Sequence, residues 1–141
     1  MRVSVFGLGY VGAVSCACMA DSGHEIIGVD KHVAKVDLIN RGASPIVESG
    51  LPENISQVSA AGRLPATMDP PRGGRQSQIS LVCVGTPSAA NGSLKLDFVR
   101  KVCEEIGTAL RDLNRYHVVV VRSTILPGSM RSVAIPGLGQ A

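Results

Sequence analysis

Tryptophan is absent from this 141-residue chain, and tyrosine and phenylalanine occur twice each, so aromatics make up only 3% of it. The core must therefore be built from Val, Ile, Leu and Ala, within a hydrophobic share of 45%. Aliphatic cores of this kind suit a parallel sheet covered by helices on both faces. Concentrated charge is missing as well. The net charge is +3, no basic run exceeds two residues, and no aromatics are interleaved with the basic side chains. That pattern excludes nucleic acid as an expected partner. No apolar run approaches the length of a membrane span, and only four residues separate Arg2 from Gly7, too few for a signal peptide. The expectation is a soluble cytoplasmic protein with no membrane partner.

Chemistry-bearing clusters are also scarce. Cys16, Cys18, Cys83 and Cys103 form no CxxC pair and have no histidine at ligand spacing. On a helix, Cys16 and Cys18 diverge by roughly 200°, so they cannot share a metal. Free thiols in a reducing compartment follow. His24 falls in a turn, His32 at a helix start and His117 at a strand start, and none completes a Ser-His-Asp or Cys-His set. Neither a catalytic residue nor a metal site is assigned.

The length fits one domain, residues 1–141. Arg2–Phe6 reads as a strand that enters a glycine-rich turn. A helix from Tyr10 to Ser22 follows, closed by Gly23. Glu25–Asp30 is a second strand, and Val33, Val36, Leu38 and Ile39 form a helical stripe ending at Gly42. Strand, helix, strand, helix is the order of a parallel sheet, whose neighbouring strands need crossover connections. Pro52 opens a short helix that ends near Gly62. Residues 63–78, with Pro65, Pro70, Pro71, Gly73 and Gly74, read mostly as loop. Ile79–Val84 is a buried strand. Asp97 caps a helix whose apolar positions run from Phe98 to Leu113 with three-four spacing. His117–Val121 is a further strand, Met130–Ile135 a last short element, and the tail 136–141 carries no core-forming content.

The informative stretch is Gly7-Leu8-Gly9-Tyr10-Val11-Gly12. A GxGxxG pattern alone is weak in a chain with 16 glycines. Here it follows a strand and opens a helix, and Asp30 closes the next strand 18 residues after Gly12. This is the arrangement of a dinucleotide fold. Gly7 permits the tight turn, Gly9 lets a pyrophosphate approach the backbone, and Gly12 lets the helix pack on the sheet. The N–H groups near Tyr10 and Val11 face the phosphates, aided by the helix dipole. Asp30 accepts from the adenosine ribose hydroxyls and repels a ribose phosphate, favouring NAD over NADP; Lys31 and His32 soften that preference slightly. Thr86 and Thr124 lie just past strand ends, where ligands of open sheets sit. Each is nearly as well explained as a turn residue bonding its own backbone. Lys35, a turn into the second helix, reads from composition as a solvated lysine.

Several motifs in order resemble the nucleotide-sugar 6-dehydrogenases, which include UDP-glucose and GDP-mannose dehydrogenases. They are Phe6–Gly12, Gly23-His24-Glu25, Gly28-Val29-Asp30, Ser44–Glu48, Cys83–Pro87 and Arg122–Gly128. The runs Phe6–Val14, Asp37–Asn40 and Val121–Thr124 are most similar to the GDP-mannose branch, with the UDP-glucose branch the close alternative. The resemblance implies a Rossmann-type doubly wound α/β fold, truncated before the end of the domain, with NAD as cofactor. It also implies that Tyr10, Val11, Asp30, Lys35, Thr86 and Thr124 match positions contacting NAD. Such enzymes oxidise the sugar C6 alcohol to a carboxylate in two hydride transfers, with a cysteine holding the intermediate as a thioester.

The chain departs from the family in several places. No cysteine here has the Gly-Gly-x-Cys-Leu-Pro-Lys neighbours, and the central helix and sugar-nucleotide domain are missing. Ser49 replaces a proline, Lys95 replaces an acidic residue, and 70–74 stands where a crossover helix belongs. A nucleotide sugar is thus a partner only with a missing C-terminal half, and homo-oligomer formation is open. Three functions fit: the NAD-binding part of a dehydrogenase, a non-catalytic nucleotide-binding module, or an inactive truncated product.

Overall fold

The computed structural model describes residues 1–139. In chain order it contains β1 (Arg2–Phe6), α1 (Tyr10–Asp21), β2 (Glu25–Val29), α2 (Val33–Asn40), α3 (Leu51–Ala60), β3 (Ala66–Thr67), α4 (Pro70–Gln76), β4 (Ile79–Val82), α5 (Asp97–Leu110) and β5 (Val118–Val121). A π-helical turn, Met130–Ala134, then leads into α6 (Ile135–Gly139). The strands form one parallel sheet in the order β3-β2-β1-β4-β5. Strand order therefore reverses at β1, between its neighbours β2 and β4. This is the doubly wound Rossmann-type sheet that the strand–helix alternation predicts.

Side-chain alternation divides the core. Val3, Val5 and Ile26 point to one face with Cys16, Ala17, Ile39, Ile55 and Val58 from α1 to α3. Phe6, Ile27, Val29 and Val82 point to the other, against Ile106 of α5. Each fully buried aliphatic or Phe side chain contributes about 1.5–3 kcal/mol. One polar set is buried on the second face. Ser4 Oγ lies 2.9 Å from both Ser77 Oγ and Ser80 Oγ, and Ser80 Oγ is 2.9 Å from His117 Nε2. Those contacts satisfy hydroxyls that would otherwise cost free energy to bury.

The segment 63–78 corrects the expectation of a loop. Residues 70–76 are α4, so the crossover helix is present despite its prolines and glycines. Asp69 caps it by accepting from Arg72 N at 3.4 Å, and the prolines occupy the first turn, where no amide is needed. Its glycines are contact residues. A Cβ on Gly73 would stand 2.6 Å from Val29 Cγ2, and one on Gly74 would stand 2.9 Å from Ala109 Cβ. The helix is thus pressed between sheet and α5, and only bare backbone fits.

β3 was also unforeseen. Its backbone is tied to α2 by Asn40, whose Nδ2 donates to Ala66 O at 3.0 Å and whose Oδ1 accepts from Ala66 N at 2.8 Å. The tail differs from expectation too. Residues 135–139 are helical, and Gly137 is buried where a Cβ would stand 3.0 Å from Cys103 Cβ. Leu138 packs against Val99, Cys103 and Ala134. α5 starts one residue after its cap position, Leu96, so Asp97 is a first-turn acid and makes no side-chain cap bond. Residues 140 and 141 of the predicted tail lie outside the described residues.

Candidate functional site

At the C-terminal end of β1 the chain must turn sharply between β2 and β4. Gly7 does so at φ +101°, and a Cβ there would meet Cys83 O at 2.9 Å. Its amide donates to Val29 O at 2.8 Å, joining the loop to β2. Leu8 points inward and is fully buried, packed onto the bare backbone of Gly28. Gly12 meets the loop from the other side, because a Cβ there would fall 1.7 Å from Gly7 O. α1 is thereby seated directly against the turn.

Gly9 differs from both. A Cβ built on it finds no atom within 4 Å. It is the cap position of α1, with no side-chain cap bond and no acidic residue in the first helical turn. The amides of Tyr10, Val11 and Gly12 have no acceptor among the described residues. Free amides at a helix start, next to open space, are a setting that favours an anion.

Asp30 stands beside this turn at the end of β2, its side chain only 7% exposed. Oδ2 accepts from Leu8 N at 2.7 Å, and Oδ1 accepts from both the amide and the ring Nδ1 of His32, each at 2.8 Å. Lys35 Nζ approaches Oδ2 to 3.9 Å from α2. Burial pushes the carboxyl pKa up, but the bonds from Leu8 and His32 and the charge of Lys35 outweigh it, and the net shift is downward. Asp30 is therefore held as a carboxylate.

The other predicted residues gather at the same end of the sheet. Tyr10 and Val11 are exposed on the first turn of α1, and the Tyr10 hydroxyl donates to Glu48 Oε2 at 2.6 Å. Thr86, after β4, donates through Oγ1 to Thr124 O, after β5, at 2.9 Å. The Thr86 hydroxyl thus reaches across to the loop after β5. Lys35 is half-buried against Asp30, unlike a solvated surface lysine. Two features were not singled out from the sequence as contributors here: the Glu48 carboxylate, and His32 as a direct partner of Asp30. The Asp-x-His spacing carried a signal for the second, since Asp commonly accepts from the amide two residues on. Lys31 points elsewhere, its Nζ 4.4 Å from the centre of the Phe98 ring.

Cys16, Cys83 and Cys103 show no sign of activation. Burial raises Cys16, and it pushes Cys83 and Cys103 up to about 11. A separate polar cleft of about 600 Å³ opens at the opposite end of the sheet, near Met1, Arg2, Glu25, Arg75 and Arg115. It lies away from the strand ends where open α/β sheets hold ligands.

Residues 1–140 match the family model described as UDP-glucose/GDP-mannose dehydrogenase family, NAD binding domain. The chain belongs to this family. It is 54% identical to GDP-mannose 6-dehydrogenase of Pseudomonas putida over 136 residues, covering 96% of this chain and 31% of that protein. Identity to UDP-glucose 6-dehydrogenase of Rhizobium meliloti is 36%, covering 92% and 29%. The fold superposes with a TM-score of 0.97 on a ternary complex of GDP-mannose dehydrogenase from Pseudomonas aeruginosa, at 51% identity, covering 99% of this chain and 32% of that one. The chain thus spans about a third of the length of these family members. No described helix is long and apolar enough to cross a membrane.

Proposed function

We propose that residues 1–141 form the NAD-binding part of a nucleotide-sugar 6-dehydrogenase. The reading rests on one observation above all. Open backbone at Gly9, with the unpaired amides of Tyr10–Gly12, lies beside a buried carboxylate at Asp30. These residues fit an adenine dinucleotide. The helix start receives the pyrophosphate, and Asp30 receives the adenosine ribose hydroxyls. Tyr10, Val11, Lys35, Thr86 and Thr124 line the rest of the path. When bound, NAD supplies the acceptor for hydride.

In the whole enzyme the substrate is a nucleotide sugar oxidised at C6, and the chain's higher identity to the GDP-mannose enzymes supports GDP-mannose over UDP-glucose. Binding of the nucleotide sugar is assigned to regions of the enzyme outside residues 1–141. Within residues 1–141 no cysteine has the neighbours of the family's catalytic motif, and these residues support cofactor binding. We place the protein in the cytoplasm.

Calorimetric titration of the chain with NAD tests the site. Asp30→Ala should weaken binding by about 1–3 kcal/mol, the range for a hydrogen bond to a charged group. No heat and no thermal shift with NAD, or an unchanged affinity in the variant, rejects the assignment.

A further inference from the structure

A carboxylate offers about four acceptor positions, two on each oxygen. On Asp30, Oδ1 is filled by the His32 amide and the His32 ring, while Oδ2 takes the Leu8 amide and faces Lys35. A ribose diol needs both oxygens, so something must yield. The two amides are fixed by the backbone. The imidazole is the group able to leave, since its side chain is 57% exposed. Lys31 takes no part, because its ammonium lies over Phe98.

We propose that His32 is the residue setting how strongly this chain prefers NAD to NADP, acting as an exchangeable cap on Asp30. The inference rests on the dinucleotide reading above. Bound to Asp30, the ring competes with the ribose diol for Oδ1. Displaced, it stays next to the ribose 2′ position, tethered two residues from Asp30. There it offers an N–H to a 2′-phosphate and partly offsets the repulsion from the carboxylate. Lys35, 3.9 Å from Oδ2, and the His32 ring are the two side chains that face this carboxylate. The ring thus weakens NAD binding and strengthens NADP binding together, and preference is the difference between the two.

The test uses the full chain, titrated calorimetrically with NAD and with NADP. In His32→Ala the competitor and the phosphate donor both vanish. NAD should bind about threefold tighter and NADP about threefold weaker, a rise in preference of about tenfold, as expected for one lost hydrogen bond on each side. His32→Asn keeps a neutral donor at the Nδ1 position. It should leave the affinities for both dinucleotides near those of the parent chain. Unfolding curves check that both variants fold, which the exposed ring should permit. An unchanged NAD-to-NADP ratio in His32→Ala overturns the proposal and leaves the NAD site standing. So does an equal loss for both dinucleotides, which marks the ring as mere support for the turn. If the parent chain binds neither dinucleotide, the site assignment itself falls, and this proposal with it.

Discussion

Gly9 and Gly12 belong to one motif, yet the structure assigns them opposite physical roles, and a pair of alanine substitutions separates them. At Gly12 a methyl group would sit 1.7 Å from Gly7 O, far inside van der Waals contact and against backbone that cannot rotate away. Either α1 must lift from the sheet or the Gly7 turn must open. Overpacking of this kind costs about 1–3 kcal/mol, and more where the obstacle is main chain. At Gly9 a methyl meets nothing within 4 Å, and the backbone is extended at φ −76°, which alanine tolerates. Gly9→Ala should therefore leave stability unchanged or raise it by about 0.4–1 kcal/mol, because the unfolded chain loses freedom. The same methyl occupies the space assigned to the pyrophosphate, so NAD affinity should fall by about tenfold or more, or roughly 1.4 kcal/mol. Urea unfolding and calorimetric NAD titration on both variants give four numbers. The reasoning requires the stability loss in Gly12→Ala and the binding loss without a stability loss in Gly9→Ala. A Gly9→Ala chain with full NAD affinity would refute the placement of the phosphates.

Further outcomes follow from contacts elsewhere. Gly73→Ala drives a Cβ to within 2.6 Å of Val29 Cγ2 and should destabilise the chain by about 1–3 kcal/mol in urea unfolding; a neutral result would mean that α4 is not pressed on the sheet. Asn40→Ala removes both hydrogen bonds to the Ala66 backbone and should cost about 1–3 kcal/mol, with faster hydrogen exchange at Ala66. Burial and the charge of Arg115 lower the pKa of His117 below its ordinary 6.5, so the unfolded state takes up a proton before the native state does. Stability should then decline as pH falls below about 6.5, and His117→Gln should flatten that part of the profile.

Some of this was legible in the residues and some was not. β1, the glycine turn, α1 and Asp30 are specified locally: an apolar run, glycines at fixed offsets, and an acid one strand later. α5 declared itself by spacing alone. α4 stayed hidden because Gly73 and Gly74 lower helix propensity, and their reason for being there is a contact with Val29 and Ala109 at other points of the chain. β3 is two residues long, and it depends on Asn40, 26 residues away. No periodicity announces such an element. The meeting of Thr86 with the loop of Thr124 likewise depends on β4 and β5 being neighbours, although each threonine could be placed at a strand end beforehand.

Asp30 also links the stability of the turn to its readiness for a ligand. Its bond to Leu8 N joins the end of β2 to the loop after β1, while the Leu8 side chain is anchored in the core over Gly28. The loop is thus held in shape before any phosphate arrives, which reduces the ordering cost of binding. A carboxylate with a lowered pKa contributes stability that is present above its unfolded-state value and lost as pH falls through its folded value. Acid should consequently loosen the glycine turn and weaken dinucleotide binding together. Asparagine at position 30 keeps one acceptor for Leu8 but forfeits the charge that attracts Lys35 and His32. Loss of affinity in Asp30→Asn without loss of stability would assign the charge to the ribose; loss of both would assign it to the turn.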